Sequence, residues 1–480
     1  MNKKTTAVLF CVMFLFAGEF LFAGVSEAEK HSKTTTDKVN NETDQGDESA
    51  ESSKDSSEES DETALGIKTV PIDAASYKTS TLFTTTSVIA NANTFDISVY
   101  NGNVYAIYAL PGDASDWRSK RMMVAKVPFS GSGAVTHPLV AGTDNKVRGY
   151  CLSPNNHKTW VIAVDRAGYI HVSGDMHSYM DMGYWRSDKP EDVSSFTQIE
   201  WEKKPPGTPR RCPISSSTTF PSFYKDRKGQ LFWSARQSSS FLPFCSYDET
   251  TKLWTALGGP GFGKAGGICL AWTKAREYDG PSNKGGFQGS SLSVVWDSKN
   301  RLHMAIGMLD KSTHGPHPAP GLGTDILYAY SDDGGKTAHR ADGTRIQYPI
   351  RASSGPSANR GDIILEEMSD PEYRWLHRHA GIYLDKADRP MIAVNSYTTG
   401  RHYFRLESRH WVEHPDGKDL EVRAPDPKSI IDALHLRVWK NRFDKNYFRD
   451  TGELVWVSVE GYRAKATYTV HRTVFNGEKK

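Results

Sequence analysis

The stretch NNHKTWVIAVDRAGYIHVSGDMH, residues 155–177, decides how the chain is read. Trp160, Ile162 and Val164 alternate on one strand, and Tyr169, His171 and Ser173 alternate on a second, with Asp165 to Gly168 as a tight turn between them. His157 and His177 lie just outside opposite ends of the paired segments. An antiparallel hairpin therefore brings both imidazoles to one rim of its sheet, where two histidines side by side can move protons.

The same turn-centred pattern recurs along the chain. VDRAGYIHVS begins at Val164, KDRKGQLFWS at Lys225, WDSKNRLHMA at Trp296, LDKADRPMIA at Leu384 and RDTGELVWVS at Arg449, with a shorter YNGNVYAIY at Tyr100. The turn aspartates Asp165, Asp226, Asp297, Asp385 and Asp450 are spaced by 61, 71, 88 and 65 residues. Each repeat runs on into a third strand, and stretches around Trp254 and Trp411 supply a fourth. Repeated four-stranded antiparallel units with little helical periodicity predict an all-β, seven-bladed β-propeller. Six blades come from the repeats. A seventh is expected from a strand within Ile67–Thr86 paired with one near Tyr468–Val474, closing the ring. The motif SDDGGKT, residues 331–337, fits the Asp box of sialidase-like propellers, whose side chains satisfy backbone donors and carry no chemistry.

Composition divides the 480 residues into three parts. Lys3 and Lys4 precede an apolar run from Ala7 to Val25, interrupted by Glu19, and small residues follow. This reads as a secretory signal over residues 1–28, so the protein is expected to be secreted or periplasmic. Residues 29–65 are rich in Ser, Thr, Glu and Asp, carry a net charge of −8, and are expected to form a disordered acidic linker. Residues 66–480, the propeller, then carry a formal +10 although the whole chain is only +2. A basic cleft suits a polyanion. Cys151, Cys212, Cys245 and Cys269 follow the signal, show no CxxC spacing, and leave three full pairings open.

Candidate site residues are those expected at one rim of the propeller. His157 and His177 come first, with Asn155, Asn156 and Asp175 beside them. Arg236 ends the second strand of the next repeat, where its fork suits a carboxylate, or else a neighbouring blade in an ion pair. Tyr179 and Tyr224 are candidate proton donors or stacking platforms, and His379 is expected to reach the same channel from another blade. His171, inside a strand, reads as packed or backbone-bonded. His314 and His317 sit among Gly and Pro and read as an exposed loop, not a metal site.

The block from Asn155 to Ser187 resembles the BNR-4 type propellers, which include seven-bladed ulvan lyases and related polysaccharide lyases. The likeness continues through Phe220–Phe223, Gly229–Arg236 and Leu327–Thr337. It implies β-elimination on a uronate-containing polysaccharide, with His157 and His177 flanking the scissile bond and Arg236 facing the carboxylate. Two departures stand out. The family's Tyr before Pro is Phe220, which cannot move a proton. Its Asn-His-Asp-Leu segment, associated with a structural metal, is Gly323-Thr324-Asp325-Ile326 here, so a structural metal ion has no assigned place. The elimination itself requires no cofactor. The expected partner is an acidic polysaccharide such as ulvan, with no nucleic acid, no membrane after signal cleavage, and a monomeric state. The competing readings are a propeller hydrolase of rhamnosyl-glucuronate glycans and a non-catalytic glycan-binding propeller.

Overall fold

Four of the repeats close their first hairpin with one chemical device. Asp226, Asp297 and Asp385 each use Oδ1 to accept the backbone N–H groups two and four residues on, at 2.8–2.9 Å. Asp165 accepts that of Tyr169 at 2.8 Å. The residue three places on is left-handed each time: Gly168 (φ 87°), Gly229 (77°), Asn300 (64°) and Asp388 (62°). Glycine and short Asx side chains are the residues that tolerate this conformation, which explains the sequence pattern. The second carboxylate oxygen takes a different partner in each repeat. Asp165 Oδ2 lies 3.1 Å from His171 Nε2, and Asp297 Oδ2 lies 3.5 Å from His303 Nε2. Asn300 Nδ2 donates to Asp226 and Arg389 Nε to Asp385, at 2.9 and 2.6 Å.

His171 is fully buried, as its place inside a strand predicts, but it bonds side chains instead of backbone. Its Nδ1 is 2.7 Å from the Tyr184 hydroxyl, which also accepts the Trp254 indole N–H at 3.0 Å. Burial holds the His171 pKa below its ordinary value despite the neighbouring Asp165. His303 repeats the arrangement with Tyr328 at 2.8 Å.

The computed structural model describes residues 77–87, 95–110, 121–140, 159–174, 183–200, 202, 208–213, 218–237, 241–257, 269–270, 287–310, 323–348, 350, 361–366, 380–385, 387–396, 400–414, 442–462 and 465–475. After β1 (Tyr77–Ser87), the first sheet holds β2 (Asp96–Tyr100), β3 (Asn103–Leu110), β4 (Arg121–Pro128) and β5 (Val135–Pro138). The second holds β6 (Val161–Val164), β7 (Ile170–Gly174), β8 (Gly183–Ser187) and β9 (Phe196–Gln198). The third is built from β10 (Thr218–Lys225), β11 (Leu231–Gln237), β13 (Phe244–Asp248) and β14 (Leu253–Ala256), while β12 (Phe241–Leu242) pairs separately with β15 (Cys269–Leu270). The fourth runs β16 (Phe287–Trp296), β17 (Leu302–Asp310), β18 (Gly323–Ser331), β19 (Ala338–His339) and β20 (Arg345–Ile346), with β21 (Asp362–Glu366) also on β18. The fifth holds β22 (Gly381–Leu384), β23 (Pro390–Ser396), β24 (Gly400–Glu407) and β25 (His410–Glu413). The terminal sheet joins β26 (Arg442–Phe443), β27 (Leu454–Tyr462) and β28 (Lys465–Phe475) to β1.

The all-β expectation holds, and two details differ. The described residues form six sheets of four or more strands, so a seventh blade is not among them. The N-terminal strand does pair with the C-terminal one, from Tyr77 against Phe475 to Ser87 against Ala466. It completes the sixth repeat's own sheet and makes no additional blade. Asp450 also departs from the pattern. It lies in a helix, α1 (Lys445–Thr451), capped by Asp444, which accepts the N–H of Asn446 and Tyr447, and ended by left-handed Gly452.

Large apolar side chains fill the junctions between successive sheets. Val455, Val457 and Tyr468 of the terminal sheet pack on Phe95, Val104 and Tyr108 of the first. Similar cores join first to second, second to third, third to fourth and fourth to fifth. Each fully buried large side chain contributes about 1.5–3 kcal/mol of transfer free energy. The innermost strands are also tied by polar struts. Asp444 accepts the Val99 N–H at 2.6 Å, and Asp96 accepts that of Ile162 at 3.0 Å. The Tyr224 hydroxyl donates to the Leu292 carbonyl at 3.1 Å, and Ser293 Oγ accepts the Ile382 N–H at 3.4 Å. The Asp box forms as read: Ser331 Oγ accepts the Gly335 N–H at 2.7 Å, and Asp333 accepts that of Thr337 at 2.9 Å. Among the described residues, no helix is long and apolar enough to cross a membrane. Cys212 and Cys245 are buried.

Candidate functional site

Strand order gives the sheets two unlike ends. The Asp turns sit at one end. The connections from the second strand to the third, and the entries into the first strand, sit at the other. His157, His177, Tyr179 and His379 lie outside the described residues. The described ends nearest to them all belong to this second rim. Val161, at the start of β6, pairs with Ser173, one residue before β7 ends at Gly174. Ala380 leads into β22, whose Gly381 pairs with Ala393.

The hairpin end next to the two histidine segments is built from two glycines and two tryptophans. Gly174 and Gly183 are Cα partners, and the indoles of Trp160 and Trp185 stack with centroids 5.4 Å apart. A Cβ on Gly174 would lie 2.5 Å from Trp160 Cε3, and one on Gly183 would lie 2.6 Å from Trp185 Cζ3. The glycines let both indoles lie flat on the backbone, and both tryptophans are buried. Glycine at the two strand ends was the available sequence signal for this close approach.

Arg236 is at the same rim of the third sheet, where it pairs with Thr219. Trp233 Nε1 donates to Ser173 Oγ at 3.2 Å, which fixes the level of β11 against β7. Arg236 therefore stands three residues beyond a contact that lies one residue short of the β7 end. Opposite it the ladder is broken between Thr219 and Ser222. Phe220 sits in this bulge at φ 54°, left-handed although it precedes Pro221. Such a backbone costs on the order of 1–3 kcal/mol and is held only by its surroundings. The ring lies under Arg236, with the guanidinium carbon 4.9 Å from its centroid. The sequence showed Phe220 as a lost hydroxyl. It did not show the stack, which depends on a bulge that no local pattern marks.

Tyr224 is not brought together with Arg236. It pairs with Phe232 next to the Asp226 turn, at the opposite end of β10. Its hydroxyl bonds Leu292 of the next sheet, and burial pushes its pKa up to about 12. Gly323–Asp325 form the first residues of β18, and Gly323 brings no side-chain donor. Among the described residues no group of three or more His, Cys, Asp or Glu could hold a metal ion.

The stacked four-stranded sheets, with inner strands strutted and one rim carrying the strand-end basic residue, define a β-propeller of the kind that presents a site on one face. Residues 105–417 match the family described as BNR repeat-containing family member, BNR_4, and the chain belongs to that family. No curated protein matches the sequence. Among solved structures, the fold is similar to that of polysaccharide lyase Uly1, with 14% identity, 81% of this chain and 91% of that chain covered, and a TM-score of 0.54. It is also similar to a PL25 ulvan lyase, with 13% identity, 84% and 85% coverage, and a TM-score of 0.50. At these identities the likeness is one of fold.

Proposed function

We propose that this chain is an exported polysaccharide lyase that cleaves a uronate-containing, ulvan-like glycan by β-elimination. The observation that carries the reading is the Trp233–Ser173 bond, which sets Arg236 beside the hairpin end leading to His157 and His177. In the elimination, Arg236 offers charged donors to the C5 carboxylate, lowering the cost of the carbanion-like charge that develops. One histidine takes the C5 proton. The C4–O bond breaks as the C4–C5 double bond forms, and the other histidine returns a proton to the leaving oxygen. With Phe220 in the family's tyrosine position, the two histidines cover both proton steps. Tyr179 and His379 are assigned to substrate contacts.

Residues 1–28 serve as the export signal and residues 29–65 as an acidic tether in this reading. In this reading the ring has seven blades, one more than the six sheets of four or more strands among the described residues.

The test is incubation with ulvan and a panel of polyuronates, read by ultraviolet absorbance of the unsaturated uronate. His157→Ala, His177→Ala and Arg236→Ala should each lower the rate about 10²–10⁴-fold. New reducing ends without that absorbance would mean hydrolysis. Phe220 favours one alternative, a propeller that binds glycan without turning it over. Binding that survives the His157→Ala/His177→Ala double substitution, with no product from the wild type, would establish it.

A further inference from the structure

Phe220 is more than a missing hydroxyl. Three independent features converge on it. Its backbone is left-handed at a non-glycine residue that precedes proline. The ladder opens by a bulge at this point and is regular again from Ser222 to Lys225. The ring then lies beneath the one described arginine at this strand end, 4.9 Å from its guanidinium carbon. A bulge at a rim re-aims a side chain, and here the side chain re-aimed is an aromatic one placed against a cation.

We propose that Phe220 is a positioning residue for Arg236, setting the guanidinium plane so that its N–H edge meets a planar carboxylate on the bound glycan. The guanidinium carbon lies over the ring, which covers Arg236 from one side, so its directional bonds run past the ring. Two parallel N–H groups of the guanidinium match the two oxygens of a carboxylate. A tyrosine at this position would carry a hydroxyl able to compete for donors and protons. Phenylalanine supplies the π face alone. The proposal deepens the lyase reading, resting on it for the substrate class, and it assigns to Phe220 a part in selecting acidic over neutral sugars.

Binding of a glucuronate–rhamnose tetrasaccharide and of its carboxyl-reduced counterpart, measured by calorimetry on the full chain without its signal, tests this. The wild type should prefer the acid form. Phe220→Leu should reduce that preference about fivefold. Replacing Phe220 by mono-, di- and trifluorinated phenylalanine keeps the ring's shape while draining its π charge. Affinity for the acid form should then fall step by step, with binding of the reduced form and the melting temperature unchanged. This graded series covers the case in which Phe220→Leu fails to fold, since a purely structural ring would give no gradient.

A flat fluorination series overturns the proposal and leaves the lyase reading standing if unsaturated product still forms. A wild type with no preference for the acid form overturns it as well. Acid-selective binding that follows the gradient, without any unsaturated product, supports the positioning role and rejects the elimination.

Discussion

Arg449 donates to the backbone carbonyls of Lys225 at 2.9 Å and Asp226 at 3.1 Å. These residues belong to α1, beside the terminal sheet, and to the turn of the third sheet, which share no core among the described residues. The contact therefore runs across the middle of the ring on the face that carries the Asp turns. It bolts α1 under the inner strands at that face, opposite the rim where Arg236 stands.

Cutting that bolt should be felt as stability. Arg449→Ala removes two charged-donor hydrogen bonds to half-buried carbonyls, and an expected loss of about 2–3 kcal/mol follows. Urea denaturation should show a lower midpoint with an unchanged slope. An unchanged midpoint would mean that the crossing contact contributes nothing.

The turn aspartates should be individually costly. Asp226→Ala leaves the N–H groups of Lys228 and Gln230 and the Asn300 amide without their acceptor. The expected cost is about 2–4 kcal/mol. Asp226→Asn keeps one acceptor oxygen and should recover part of it, as thermal unfolding of the three proteins would reveal.

Gly174→Ala should disturb the candidate site without touching it. The added methyl enters the Trp160 indole, and overpacking of this kind costs about 1–3 kcal/mol. Because β7 ends here, the proposed elimination activity should fall further than stability explains. Activity falling only in step with the unfolded fraction would argue against a positioning role for the indole pair.

A pH dependence follows from His471. Burial lowers its pKa to about 4, and its Nε2 lies 2.7 Å from the Ser458 hydroxyl while its ring stacks on Trp456 at 4.2 Å. The folded pKa is below the unfolded value near 6.5, so the unfolded chain takes up the proton first as pH falls. Stability from this group is complete above about pH 6.5 and is lost progressively as pH drops towards 4. His471→Gln should lose that increment of the pH slope. Parallel slopes for the two proteins between pH 7 and 5 would rule the contribution out.

Much of the fold could be read in advance because its turns are local. An aspartate, a left-handed residue three places on and flanking alternation are all contiguous, and the four turns at Asp165, Asp226, Asp297 and Asp385 follow them. Asp450 has the same letters around it, yet Asp444 caps a helix six residues earlier and captures the segment. Counting repeats overstated the blades in view because β1 joins an existing sheet, a pairing of strands far apart in sequence. The rim was legible for Arg236, whose register follows from its turn. Tyr224 was misplaced because one strand has two ends, and residue type alone does not say which end faces the glycan. The Phe220 stack was invisible for a similar reason, since it needs a bulge and a partner strand together.

The pairing of β1 with β28 has a consequence in time. Thr79 and Thr473, whose hydroxyls meet at 2.9 Å, are separated by 394 residues of chain. A ribosome or an export channel delivers the first of them long before the second. The last sheet therefore stays open, with one edge unpaired, until almost the whole chain has emerged. Completion of this sheet comes only once β28 has emerged, and a chain truncated before β28 has no means of completing it.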